Sequence, residues 1–158
     1  MWPWQTSARP LYPAHASAIG LHLLTLDADD RYARFGHPIG DQALLEWVCR
    51  MNWQSVKWWG IWCLPPNAGL AGALQLSRTN ASGICELALS VHHLVRRRGL
   101  GTALLSLAVS QSPETERLVC HHGHEAVRSM ARRLGWRCWV THELGLQIDI
   151  GHSGPAAG

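Results

Sequence analysis

Between residues 84 and 111 the chain passes from a strand-like stretch, through an arginine- and glycine-rich turn, into a stretch with no charged residue. The segment reads Ile84-Cys-Glu-Leu-Ala-Leu-Ser-Val91, then His92 to Val95, then Arg96-Arg97-Arg98-Gly99-Leu100-Gly101-Thr102, then apolar residues up to Gln111. A turn that opens a helix leaves the first backbone N–H groups unpaired, and the helix dipole favours negative charge there. Glycine lets the backbone approach a ligand because no Cβ intervenes. Three adjacent arginines add charge suited to a pyrophosphate. Other phosphate turns do not fit. A Walker A loop needs Gly-Lys-Ser/Thr, and Lys57 is the chain's only lysine. A dinucleotide fingerprint needs a third glycine where Leu104 stands. What remains is Arg-x-x-Gly-x-Gly, carried by Arg96, Gly99 and Gly101.

The rest of the chain supplies a scaffold for that turn. Ala8 to Tyr12 is expected as a short strand and His15 to Leu26 as a helix. Asp27 is positioned to cap a second helix, with Asp27/Arg31 and Asp30/Arg34 spaced to pair on its surface. Asp41 is positioned to cap a third, with an apolar stripe of Leu44, Leu45, Val48 and Met51. Val56 to Leu64, Leu70 to Leu76 and Ile84 to Val91 are expected as an antiparallel meander. Gly99 to Gln111 reads as a deeply packed helix and Arg117 to His121 as a strand. His124 to Leu134 reads as an amphipathic helix, and Arg137 to Thr141 and Leu144 to Ile150 as closing strands. This order implies an α/β (α+β) domain: a mixed, mostly antiparallel central sheet flanked by helices.

At 158 residues the chain suits one domain, expected over 8–150, with a lead-in over 1–7 and a flexible Gly/Ala/Pro-rich tail over 151–158. Its net charge of +3 is too small to imply a nucleic-acid partner, and no apolar run is long enough to span a bilayer. The five cysteines, Cys49, Cys63, Cys85, Cys120 and Cys138, are scattered and odd in number, with no CxxC pair. That argues against a disulfide framework or a zinc site and is the basis for expecting a cytoplasmic location.

The phosphate turn, with a strand before it and an apolar helix after it, resembles the acetyl-CoA signature of the GNAT superfamily of N-acetyltransferases. The resemblance spans about residues 8 to 150. Ala8-Arg9-Pro10-Leu11 is similar to the family's first strand, and His124 to Trp136, ending in Gly135-Trp136, to its second conserved region. Arg34-Phe35-Gly36-His37-Pro38 and the helix after it resemble a bacterial subgroup. The resemblance implies the acyl-CoA N-acyltransferase fold, acetyl-CoA as cosubstrate and an amine acceptor. It implies that pantetheine lies along Leu89 to Val91. The N–H groups from Arg97 to Thr102 would hold the pyrophosphate, with Arg96, Arg97, Arg98, Gly99, Leu100, Gly101 and Thr102 as the turn and His124 beside the cofactor.

Glu86 stands inside an otherwise uncharged strand, where a charge is costly unless solvated or paired. Several family members carry a catalytic glutamate at this place, so Glu86 is the candidate general base. An ion pair with Arg78 across the turn is the competing role. Alternation sets Glu86 on the face of Ile84, Ala88 and Ser90. The sequence departs from the family where Ala131 replaces a tyrosine that often protonates the leaving thiolate, and where His124 replaces an asparagine. Ser90, Cys120 and His124 are the substitutes in reach. His121-His122-Gly123-His124 lacks a ligand set for zinc, so no metal is expected. Trp58, Trp59 and Trp62 are expected in the core, and Trp47 and Trp53 along an acceptor pocket. Two functions follow: direct acetyl transfer in a ternary complex, or a non-catalytic acyl-CoA-binding sensor or regulatory module, favoured if Glu86 is locked in an arginine bridge. Acceptor and oligomeric state stay open, a homodimer included.

Overall fold

The computed structural model describes residues 8–63, 69–121 and 124–151, with the side chain of His124 left aside. The expected lead-in over 1–7 and the tail beyond residue 151 lie outside the described residues, as do residues 64–68.

Seven strands form one sheet: β1 (Ala8–Leu11), β2 (Val56–Trp62), β3 (Leu70–Arg78), β4 (Ile84–Val91), β5 (Arg117–Cys120), β6 (Arg137–Thr141) and β7 (Gly145–Asp149). Their spatial order is β1-β2-β3-β4-β5-β7-β6, and all neighbours are antiparallel except β4 and β5. The helices among the described residues are α1 (Ala16–Leu24), α2 (Ala28–Phe35), α3 (Asp41–Cys49), α4 (Leu100–Ser110) and α5 (His124–Arg133). Single 3₁₀ turns at Pro13–His15 and His93–Val95 lead into α1 and into the arginine turn. The mixed, mostly antiparallel sheet between helical layers is the architecture expected from the order of elements. Among the described residues no helix is long and apolar enough to cross a membrane.

Strand alternation divides the core in two. On one face Leu74, Leu76 and Leu87 meet Leu104, Leu105 and Ala108 of α4 and Val127 and Ala131 of α5. On the other, Trp58 and Ala73 meet Ile19 and Leu23 of α1 and Leu44 and Val48 of α3. The uncharged α4 is packed as expected, with Leu104, Leu105 and Ala108 fully buried. Trp58 and Trp59 are core residues on opposite faces, and each indole N–H finds a partner, Met51 Sδ at 2.8 Å and Gln111 Oε1 at 2.7 Å respectively.

Three local expectations are corrected. The cap of α3 is Gly40, in extended backbone with no side-chain cap bond; Asp41 is the first helical residue and reaches back to Arg31 at 2.8 Å. A carboxylate there still suits the helix dipole. Leu45 is over a third exposed, because the Leu44/Val48 row takes the core side and Leu45 is left over Gly20 of α1. The pairing expected along α2 is absent. Asp27 caps α2 as expected, accepting from Asp30 N–H at 2.8 Å, but Arg31 donates to the carbonyls of Leu24, Leu26 and Ile39. Asp30 pairs with Arg96 and Arg34 donates to Gln75, and both line the cleft described next.

Candidate functional site

The site begins where β4 and β5 part. Their parallel pairing covers only Ile84–Glu86 against Arg117–Val119. From Leu87 to Val91, β4 pairs with β3 on one side and, among the described residues, with no strand on the other. His92 N–H donates to the Ala71 carbonyl at 2.7 Å, and Gly72 lies opposite Val91. The even-numbered residues of β4 therefore bond β3, and Leu87, Leu89 and Val91 turn their backbone groups toward the gap. The Val91 carbonyl confirms this direction: it accepts from Arg96 Nε at 3.0 Å.

The arginine turn closes the gap at its end. Arg97 (φ 62°) and Gly99 (φ 80°) are both left-handed, and Gly99 is the N-cap of α4. Alternating left-handed residues curl successive N–H groups into a concave anion cradle. The first helical bond runs from Ala103 N–H to Gly99 at 3.0 Å. The N–H groups of Leu100, Gly101 and Thr102 are thus unused by the helix. The two glycines serve different ends. A Cβ at Gly99 would meet nothing within 4 Å, so its role is conformational. A Cβ at Gly101 would stand 2.3 Å from Met130 Cε, so its role is to let α5 approach α4.

The three arginines are placed unequally. Arg96 is a brace, holding Val91 by its Nε and the Asp30 carboxylate by Nη2 at 2.8 Å. It thereby ties α2 to the turn. Arg97 is exposed and lines the cleft; Arg98 is partly buried and stands outside it.

The cleft has a volume of about 560 Å³. It brings together Glu86, Leu89, Val91, Arg96, Arg97, Gly99, Leu100, Gly101 and Thr102 from the expected set. Of the remaining two, Arg98 stands apart, and His124 is placed at the first position of α5 by its backbone. His122 and Gly123 lie outside the described residues. The sequence reading missed Asp30 and Arg34 from α2, His121, and Ser129 and Met130 from α5, which also line the cleft. Trp47 and Trp53 do not line it: both pack into the α1/α3 core, Trp47 edge-on to Phe35 at 5.2 Å.

Glu86 is about half exposed, and its nearest ion-pair partner is His121 Nε2 at 3.9 Å. It forms no pair with Arg78, which stands opposite Cys85 and not opposite Glu86. On the same face of β4, Ser90 Oγ lies 2.9 Å from Nε2 of the buried His22, whose Nδ1 lies 3.1 Å from the Leu70 carbonyl. A carbonyl can only accept, so Nδ1 carries the proton and the Ser90 hydroxyl donates to Nε2. Burial pushes His22 down to about 4, outweighing its hydrogen bonds, so the ring is neutral at physiological pH. Ser90 thus keeps only lone pairs for the cleft. Ala131, expected at the tyrosine's place from the resemblance, is fully buried and does not line the cleft, whereas its neighbours Met130 and Ser129 do.

The chain has counterparts of the same fold among solved structures. The GNAT domain of PAT from S. lividans superposes with a TM-score of 0.66 at 13% identity, over 94% of this chain and 98% of that one. The fold is that of the GNAT superfamily. An acetyltransferase from Thermus thermophilus gives 0.65 at 13% identity, over 94% of this chain and 97% of its own. A GNAT-family acetyltransferase from Streptococcus pneumoniae gives 0.59 at 14%, over 92% and 96%. No family model and no curated protein matches the sequence. Within the GNAT fold the arginine turn and the β4/β5 gap of this chain fall on one continuous groove.

Proposed function

We propose that this chain is an N-acyltransferase that moves the acetyl group of acetyl-CoA directly to an amine acceptor. The observation that carries the reading is the gap beside Leu87–Val91, edged by unpaired main-chain groups and ending at a left-handed glycine turn. Acetyl-CoA suits that shape along its length. Its pyrophosphate would take the N–H groups of Leu100, Gly101 and Thr102 and the charge of Arg97. Its pantetheine would lie along β4, using the Leu89 carbonyl and the Val91 N–H, since Arg96 already holds the Val91 carbonyl. The thioester carbonyl would accept the N–H of Leu89, which stabilises the developing oxyanion.

The acceptor nitrogen forms its bond to the thioester carbon as the C–S bond breaks. Its proton passes to Glu86, directly or through a water, because an alkyl ammonium titrates near ~10.4 and cannot attack while protonated. The thiolate leaves with the electron pair and is protonated from solvent. Ser90 is a poor donor for it, as its proton is engaged by His22. A sensor without chemistry would be favoured by a Glu86 locked to an arginine; instead Glu86 stands half exposed in the cleft beside His121.

The test is calorimetric titration of CoA into the protein and into Gly99→Glu, followed by thiol release from acetyl-CoA with a panel of amines. The added side chain enters space that is open in the structure and brings negative charge to the cradle. CoA affinity should fall roughly tenfold or more, by loss of charged hydrogen bonds. Equal affinity in a folded variant removes the cradle from the reading.

A further inference from the structure

Arg34 is a cation with no carboxylate in direct contact among the described residues. It rises from α2 onto the face of the sheet opposite α4 and α5. Its Nη2 donates to the amide oxygen of Gln75, a neutral group. Its guanidinium carbon lies over three rings, 4.9 Å from Phe35, 5.4 Å from Trp47 and 5.9 Å from Trp58. Among the described residues no carboxylate stands within 4 Å of it, although Asp30 lies one turn away on α2 and is committed to Arg96. The surrounding protein desolvates the guanidinium enough to lower it to about 10, with the charge of Glu86 opposing that shift. It remains protonated at neutral pH. A desolvated charge whose direct partners are an amide and ring faces, with Glu86 acting only from beyond contact distance, is costly unless a counter-charge comes into contact.

The cleft brings that charge within reach, because Arg34 lines it beside Glu86. Gln75 pairs with Ala88 in the sheet, and Ser77 with Glu86. The Gln75–Arg34 contact and Glu86 are therefore one pleat apart on one face, roughly 7 Å along the strand. Cation and base share a wall, with the gap beside β4 at its edge. A planar guanidinium fork matches a carboxylate in two parallel hydrogen bonds, which an ammonium cannot do.

We propose that Arg34 is the carboxylate-binding residue of the acceptor subsite and that the acceptor is an amino acid. Its carboxylate lies on Arg34, which delivers its amine to Glu86. This rests on the acyltransferase reading and specifies the substrate class of the same site. Gln75 fixes one edge of the guanidinium, and the Phe35, Trp47 and Trp58 rings fix its plane, leaving the remaining edge for the ligand.

The test compares the twenty amino acids with their C-terminal amides as acceptors, read by thiol release from acetyl-CoA, after calorimetry has established CoA binding. The parent should use at least one acid with kcat/KM roughly ten- to hundredfold above its amide, the range of one charge-assisted pair. Arg34→Gln should raise KM for the acid by that factor and bring acid and amide level. Arg34→Lys, which keeps the charge and protects against a folding loss, should restore part of the preference. Equal use of acid and amide by the parent overturns the proposal, as does an unchanged ratio in folded Arg34→Gln or Arg34→Lys. So does CoA binding with no amino acid acetylated, which leaves the cofactor reading standing. Absence of CoA binding instead removes the acyltransferase reading itself, and the subsite with it.

Discussion

Gly101→Ala separates packing from conformation in the turn. The new Cβ would stand 2.3 Å from Met130 Cε and 2.9 Å from its Sδ, with Leu89 Cδ2 at 3.4 Å. Overpacking of this kind costs about 1–3 kcal/mol, and the low end applies because the clash is with the far end of an unbranched, flexible side chain. Alanine in a helix offsets up to about 1 kcal/mol of it relative to glycine. The net is about 0–1 kcal/mol, and at this chain length each kcal/mol moves Tm by about 2–4 °C. Met130 has little choice of where to go. On one side it packs against the buried core cluster, and on the other is the cleft it lines. CoA affinity, by calorimetry, should therefore fall by roughly tenfold, about 1.4 kcal/mol, while Tm by scanning calorimetry barely moves. Met130→Ala in the same chain should restore the affinity. Gly99→Ala is the control: its Cβ meets nothing within 4 Å, yet φ is 80°, so it should cost about 1 kcal/mol of stability through the backbone alone. If Gly101→Ala loses stability like Gly99→Ala and keeps its affinity, or if Met130→Ala restores nothing, the steric account is wrong.

Glu86→Gln preserves shape and removes the proton acceptor, so turnover should drop by roughly 10²–10⁴-fold with acetyl-CoA affinity held; full activity toward an identified acceptor would leave the base unassigned. His22 is buried and its pKa is depressed from 6.5 to about 4, so the unfolded chain binds the extra proton in that window. Its stabilisation is complete above about pH 6.5 and is lost as pH falls toward 4, by up to about 3 kcal/mol. Urea unfolding at pH 7 and pH 4.5 should show that loss in the parent and much less of it in His22→Gln; equal slopes would contradict it.

What could be read from the sequence was whatever is local. The bounds of β4 follow from its largely apolar residues between two turns, and the start of α4 from glycine placement. Glu86 drew notice because it is the one charge in its strand. Contacts across the sheet were illegible for a physical reason. Helical spacing offered Arg34 an acid four residues earlier, but in the folded chain Asp30 is taken by Arg96, 66 residues away, and Arg34 by Gln75, 41 residues away. Spacing likewise cannot tell that Ala131 faces the core while Met130 faces the cleft. Trp47 was expected along a pocket because the resemblance places substrate gating in that region; the Phe35 edge and the Trp58 ring hold it partly buried against the core instead.

The three-residue pairing between β4 and β5 also bears on how such a chain tolerates drift. The groups that edge the gap at Leu87, Leu89 and Val91 belong to the main chain, whereas the side chains of those residues pack against the α4/α5 core. Replacing one apolar side chain there by another alters the core and leaves the N–H and C=O where they were. Only proline deletes an N–H. The demand on these positions is for strand pairing and volume, not for a particular letter, so two chains can share this fold while agreeing at about one residue in eight.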